Sequence, residues 1–402
     1  MQKTKLLILP SLLFGLAPDR RVRMTEKFIS GVTMTAARWP GPVAVLAPED
    51  PFDASGNLDD VWVDPAELPF EVMVDSFDGE RARAAISGAA VVLGGADHRL
   101  NHLPQLCRSL GIPYVFLTEY SLKTRWQIID AERLNPLVAW RRKIWAWQQE
   151  RANIAAAKTS AAVHCNGTPT YDAYRPLNPN TLLYFDSRVE PAMLPSSPRL
   201  AARIASGASA EPIRLAFSGR LNAMKGADHL LLVADALRAL GVDFTLDIYG
   251  DGPLVAAMKD TMAQKGLDAQ VRLGGVLDFA TELMPRIRDT VDLFVCCHRQ
   301  GDPSCTYLET WACGVPIVGY ANEAFEGLVR RCPAGISVPM NDPGAMAAAV
   351  AALARDPHRL LELARHGLEF ARQHTFEREF AARIDHMTSL IGQGLPPERS
   401  ST

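Results

Sequence analysis

The 402-residue chain has no CxxC pair, no Cys and His cluster at zinc-ligand spacing, no window of 18 apolar residues and no surplus of either charge. Seven cysteines, an odd number without metal or disulfide spacing, describe a protein of a reducing cytosol rather than a disulfide scaffold. Without a long apolar window, nothing is expected to span a membrane. A net charge of −3 gives no global field to attract nucleic acid, so any anion binding has to be local. The first apolar run is not followed by GxGxxG, which argues against an NAD-dependent dehydrogenase. That run, Leu6 to Leu9 behind Lys3 and Lys5, has the charge pattern of a secretory leader. Pro10 interrupts it, however, and Ala17-Pro18-Asp19 makes a poor cleavage site, so a buried first strand from Lys5 to Leu9 is the better reading.

What is present is a soluble globular composition, 48% hydrophobic and 22% charged, at a length that implies two domains. Short apolar runs alternate with segments of helical periodicity. The runs are Leu6 to Leu9, Val43 to Leu46, Ala90 to Leu93, Tyr114 to Leu117, Ala161 to His164 and Leu182 to Phe185. A second series follows: Ile213 to Phe217, Phe244 to Ile248, Val271 to Leu273, Leu293 to Cys296 and Pro316 to Val318. Alternation of this kind means βαβ units on parallel sheets, an α/β fold. The first domain is expected over residues 1–190, a linker rich in Pro, Ser and Ala over 191–212, and the second domain over 213–375. A final helix is expected over 376–391, packing back on the first domain, before a polar tail, 392–402. Doubly wound domains place ligands at the carboxyl ends of their strands, so the cleft between them is the expected site.

Gly301-Asp-Pro-Ser-Cys-Thr-Tyr-Leu-Glu-Thr-Trp-Ala-Cys-Gly-Val-Pro-Ile-Val318 is the most informative segment. Asp302, Pro303 and Ser304 supply turn and N-cap chemistry, and the spacing of Tyr307, Leu308, Trp311 and Ala312 predicts a short helix from about Ser304, ending at Gly314. Free N–H groups of Ser304, Cys305 and Thr306 at its positive end suit a diphosphate, with Glu309 one turn further in, at ribose distance. Upstream, Ser218-Gly-Arg-Leu-Asn-Ala-Met-Lys-Gly226 follows a strand. There Gly219 lets a ligand approach the backbone, Arg220 forks onto phosphate oxygens and Lys225 adds a point charge. Tyr249-Gly-Asp-Gly-Pro253 is a second glycine turn, in which Gly250 and Gly252 lie against a nucleotide or merely punctuate the strand end.

In this order, Gly219-Arg220, Lys225-Gly226, Gly250-Asp251-Gly252, Glu309 and Ala312-Cys-Gly-Val-Pro316 together resemble the donor domain of family 4 retaining glycosyltransferases, over about residues 213 to 391. The resemblance implies a GT-B fold of two Rossmann-like domains and a nucleoside diphosphate sugar as donor. It also implies diphosphate binding by Arg220, Lys225 and the helix start, ribose binding by Glu309, and no metal or other cofactor. The family pattern Glu-x7-Glu is broken, because Gly301 stands where the first Glu, a sugar contact, is usual. Asp302 beside it is the candidate to take over that contact.

In the first half the resemblance is architectural. Gly15 after the first strand is expected near the donor phosphates, and His98 and Glu119, in loops after two other strands, are candidates for contacting the sugar or orienting the acceptor hydroxyl. Four of seven tryptophans, Trp126, Trp140, Trp145 and Trp147, fall among Arg125, Arg141, Arg142 and Lys143. This segment is either a buried packing face or an interfacial one for anionic lipid, at the inner face of the plasma membrane. Arg20, Arg21, Arg23 and Lys27 form a second basic cluster, either a solvated helix or a surface for a lipid-phosphate acceptor. The function implied is transfer of a hexose-like sugar to a carbohydrate or lipid-linked acceptor in cell-surface glycan synthesis. The alternatives are a nucleotide-sugar epimerase or hydrolase, and a non-catalytic nucleotide-sugar-binding partner.

Overall fold

The structure, a computed structural model, describes residues 4–50, 60–132, 134–195, 200, 202 and 212–392. Most of the expected linker, 196–199, 201 and 203–211, and the expected tail from 393 onward lie outside them.

Two parallel sheets carry the chain. The first has seven strands in the spatial order Thr181–Tyr184, Ala162–Asn166, Tyr114–Thr118, Val91–Gly95, Leu6–Leu9, Val43–Ala47, Glu71–Val74. The second has six, ordered Val271–Gly275, Phe244–Tyr249, Ile213–Ser218, Leu293–Cys296, Ile317–Tyr320, Gly335–Val338. The strand order of each sheet reverses beside its first strand, so each sheet opens a crevice there at the strand carboxyl ends. The central strands read as continuous Val, Ile and Leu runs because both faces are covered. Leu6, Leu7, Val45, Leu46, Leu293, Val295 and Ile317 are at or near zero exposure.

The apolar runs therefore predict the inner strands and one edge of each sheet, Thr181–Tyr184 and Val271–Gly275, and miss the other edge. Glu71–Val74 and Gly335–Val338 close one side of each sheet and are largely half-buried, so their sequences carry no continuous apolar signal. A small antiparallel ribbon, Gly15–Leu16, Val22–Thr25 and Asp60–Val63, is likewise unforeseen. No described helix is long and apolar enough to cross a membrane. All seven cysteines are free, six of them buried.

The final helix, Phe376–Ser389, returns to the first domain. Phe380, Ile384, Met387 and Leu390 enter the same core as Leu6, Val45 and Val115. The two chain crossings lie side by side: the Phe376 N–H donates to the Val189 carbonyl at 2.9 Å. Buried Glu379 ties them, accepting from the Phe185 N–H at 2.9 Å and from His374 Nδ1 at 2.5 Å. Glu379→Ala strands a buried backbone donor and is expected to destabilise the protein by about 1–3 kcal/mol, read as a lowered thermal midpoint; an unchanged midpoint would show that the crossing is held by packing alone.

Candidate functional site

The two crevices meet. On the second sheet, strand Ile213–Ser218 and its neighbour Leu293–Cys296 end beside each other, which brings the Gly219–Gly226 loop against the 297–304 loop. Lys225 Nζ lies 2.8 Å from Asp302 Oδ2, both side chains mostly buried. The residue expected to hold phosphate is thus neutralised by the residue expected to touch sugar. The other carboxylate oxygen, Asp302 Oδ1, is buried without a hydrogen-bond partner among the described residues. Arg220 is exposed and makes no ion pair with a described residue.

The helix runs from Cys305 to Ala312, with Ser304 as N-cap. One expectation is corrected here. The Ser304 N–H is already donated to the Asp302 carbonyl at 2.8 Å, so the outward donors are those of Cys305 and Thr306. The Ser304 hydroxyl makes no capping bond. Burial pushes the Cys305 thiol up to about 12, with Glu309 adding, so it stays protonated beside the cradle. Glu309, one turn in, is buried, and desolvation holds its carboxyl above the ordinary range despite the opposing charge of Arg188. Arg188 was not foreseen. It donates to Glu309 Oε1 from Nε and from Nη2, each at 2.8 Å, while its guanidinium lies over the Phe279 ring at 3.8 Å.

The glycines at the strand ends serve the loops themselves. A Cβ on Gly250 would stand 2.0 Å from the Gly219 carbonyl oxygen, and one on Gly252 2.5 Å from that of Leu221. The two turns pack backbone to backbone, and Gly219 and Gly250 both have positive φ.

Across the crevice lies a cavity of about 600 Å³, lined by Leu9 to Leu12, Lys27, Phe28, Gly95, Glu119, Tyr120, Asp186 and Arg383 among others. Glu119 lines it, its carboxyl raised by burial and by Asp186. Tyr120, which follows it, is pushed up to about 12 by burial. Glu119 and Asp302 add to that shift while Lys27 and Arg220 oppose it, so one ring sits among charges of both domains. His98 does not join them. Its imidazole is exposed, 3.3 Å from Asp97 and edge-on to Trp145, because Asp97 is fixed by Arg99 and turns the loop outward. Gly15 sits in the antiparallel ribbon against Arg23 and Trp62, and Pro10, Ser11 and Leu12 line the cavity in its place. The basic cluster around Arg20 dissolves: Arg21 pairs with Asp19, Arg23 with Asp50, and Lys27 reaches Asp186 at 2.9 Å.

Gly301 proves to be a joint between the domains. Its N–H donates to Gln127 Oε1 at 2.8 Å and its carbonyl accepts from Thr124 Oγ1 at 3.0 Å. Ser121 Oγ donates to Glu323 Oε2 at 2.5 Å alongside. A Cβ at 301 would lie 2.9 Å from Glu323 Cβ and 3.1 Å from Thr124 Oγ1.

The tryptophan segment belongs to two packed helices, Leu122–Ala131 and Pro136–Thr159. It is not a buried face: Trp140 is 63% exposed, Leu137 72%, and Val138, Trp145 and Trp147 are also exposed. The charges among them are partly committed, Arg142 to Glu132 and Lys143 to Asp130.

Residues 199–373 match the family of glycosyl transferases group 1. The chain is 34% identical over 217 residues to a D-inositol 3-phosphate glycosyltransferase of Mycolicibacterium vanbaalenii, covering 48% of this chain and 46% of that one. A protein of the same description from Stackebrandtia nassauensis is 28% identical over 216 residues, 51% and 48% of the two chains. The chain thus spans about half the length of the curated relatives it matches. In structure it is similar to HepE of Anabaena, solved with UDP, at a TM-score of 0.65 and 14% identity over 96% of this chain and 99% of that one. A sucrose-phosphate synthase from Thermosynechococcus elongatus aligns at 0.61 and 16% identity, over 96% and 99% of the two chains. The fold is that of the GT-B glycosyltransferases, two Rossmann-like domains about a cleft.

Gly301→Glu is expected to force the Thr124 and Glu323 contacts apart, with an overpacking cost of about 1–3 kcal/mol. Small-angle scattering should then show a larger radius of gyration than wild type; an equal radius would mean that the new side chain finds room within the closed arrangement.

Proposed function

We propose that this chain, whose residues 199–373 match the glycosyl transferases group 1 family, transfers a sugar, with retention, from a nucleoside diphosphate to a carbohydrate or lipid-linked acceptor. The observation that carries this reading is the meeting of Arg220, Lys225 and the free N–H groups of Cys305 and Thr306 at one crevice, opposite a cavity that holds Glu119. Arg220, Lys225 and the helix start supply the charge stabilisation that a departing diphosphate needs, and Glu309 accepts from ribose hydroxyls through the oxygen that Arg188 leaves free. Transfer in this arrangement requires no metal, because Arg220, Lys225 and the helix start carry the charge of the leaving group. The acceptor hydroxyl attacks from the face at which the phosphate leaves, its proton passing to the leaving oxygen. Asp302, once released by Lys225, takes the sugar hydroxyl contact.

Arg220→Ala and Lys225→Ala are each expected to weaken nucleoside diphosphate binding by about 1.5–3 kcal/mol, the range for charged hydrogen bonds. Asp302→Asn is expected to leave that binding intact, or to tighten it, while slowing transfer. Calorimetry that finds wild-type affinity in both cation variants removes the phosphate assignment.

The exposed Leu137, Val138, Trp140, Trp145 and Trp147, with Lys123, Arg141 and Arg151 near them, support peripheral docking on an anionic membrane, where a lipid-linked acceptor for cell-surface glycan synthesis would be presented. Sedimentation at low salt should show binding to anionic vesicles that weakens with salt and is lost in a Trp140→Ser, Trp145→Ser variant; equal binding to neutral vesicles, or none, removes the docking role.

A further inference from the structure

The polar groups of the cavity divide into committed and uncommitted charges. Lys27 is held by Asp186. Arg125 is held by Glu150, which also accepts from the Tyr174 hydroxyl at 3.0 Å. Arg383 differs from both. It projects from the returning helix Phe376–Ser389 into the cavity wall, its guanidinium lying over the Tyr184 ring at 4.3 Å. Its Nε, like that of Arg125, is buried with no hydrogen-bond partner, and unlike Arg125 neither of its terminal nitrogens bonds a described residue. Stacking uses the face of a guanidinium and leaves its in-plane donors unused, and a buried cation without an acceptor is costly. No described carboxylate comes within ion-pair distance of it, although Glu119 lies near enough to feel its charge.

Position separates this cation from the diphosphate site. Arg220, Asp302 and Glu119 bear on Tyr120, and Arg383 bears on Glu119 and Tyr184. Arg383, Glu119 and Tyr120 line the cavity, whereas Arg220, Lys225 and Asp302 do not. We propose that Arg383 binds an oxyanion, a phosphate or a carboxylate, carried by the acceptor, and so selects anionic acceptors whose reacting hydroxyl lies toward Glu119. The apolar remainder of the wall, Ile8, Leu12, Phe28, Val32 and Phe380, adds little to polar recognition, so the guanidinium sets the choice. This rests on the reading of the second domain as the donor half.

The test uses the full chain and three probes, glucose, glucose 6-phosphate and glucuronate, titrated by calorimetry into wild type, Arg220→Ala, Arg383→Gln and Arg383→Lys. Wild type and Arg220→Ala should bind at least one of the two anionic sugars alike, and which of them binds identifies the phosphate or the carboxylate source. Arg383→Gln should lose about tenfold or more in that affinity, Arg383→Lys should fall between, and glucose should bind all four equally weakly. Thermal midpoints and nucleoside diphosphate affinity unchanged in Arg383→Gln would show that the fold and the donor side are intact. If Arg383→Gln binds as wild type does, if wild type binds neither anionic sugar, or if the loss follows Arg220→Ala instead, the proposal is overturned. Should wild type bind the anionic sugar through Arg383 but no nucleoside diphosphate, the donor reading falls and this site stands.

Discussion

The peptide group of Gly301 is gripped on both edges by the opposite domain, its N–H by Gln127 and its carbonyl by Thr124. The cleft depends on this contact. It fixes the loop that carries Asp302 and starts the Cys305–Ala312 helix against the helix that follows Glu119 and Tyr120. The two crevices therefore face each other at one separation. Thr168 donating to the Ala324 carbonyl, and Asp172 pairing with Arg330 and Arg331, extend the same seam. Hydrogen bonds to backbone are specific in register, and a Cβ at 301 would press on Glu323 and Thr124 so that one of them has to shift. The missing glutamate of the family pattern is thus linked to a packing requirement, and the carboxylate beside Gly301 is that of Glu323, engaged by Ser121.

Charge in the cleft is arranged by partner more than by count. Asp186, just past the last strand of the first sheet, holds Lys27 and also bears on Glu119, Arg188 and Glu309. Such a carboxylate at the crossing between domains couples the cavity of the first domain to Glu309 electrostatically. Glu309 is buried, so the field at its carboxylate is screened less than among the more exposed Lys27, Glu119 and Arg188.

Much of the architecture was legible because buried parallel strands advertise themselves as apolar runs, and the loops at the strand ends of the second sheet because glycine, cation and helix start follow one another locally. What was not legible depends on pairing across long sequence distance. Arg188 meets Glu309 across 121 residues and Glu323 meets Ser121 across 202. No local spacing marks either pair. His98 was placed in the cleft by its position after a strand. Strand ends fix where a loop begins but not which way its side chains turn, and here the Asp97–Arg99 pair turns His98 toward Trp145. Ser304 was counted as a free donor because N-cap position alone does not reveal the local turn that uses its N–H.

The Lys225–Asp302 pair gives the proposed reaction an order of events. In the absence of donor, each neutralises the other at 2.8 Å within a mostly buried pocket, leaving Asp302 Oδ1 without a hydrogen bond. A diphosphate at the helix start carries more charge than one carboxylate and also meets the N–H groups of Cys305 and Thr306 together with Arg220, so it competes effectively for Lys225. Asp302 is then a buried carboxylate with both oxygens unpaired, a state that costs free energy until hydroxyl donors arrive. A sugar attached to that diphosphate brings such donors. The free nucleoside diphosphate would bring none to Asp302, its ribose hydroxyls facing Glu309, so under the proposed function the same exchange would favour donor that still carries its sugar over product that has lost it.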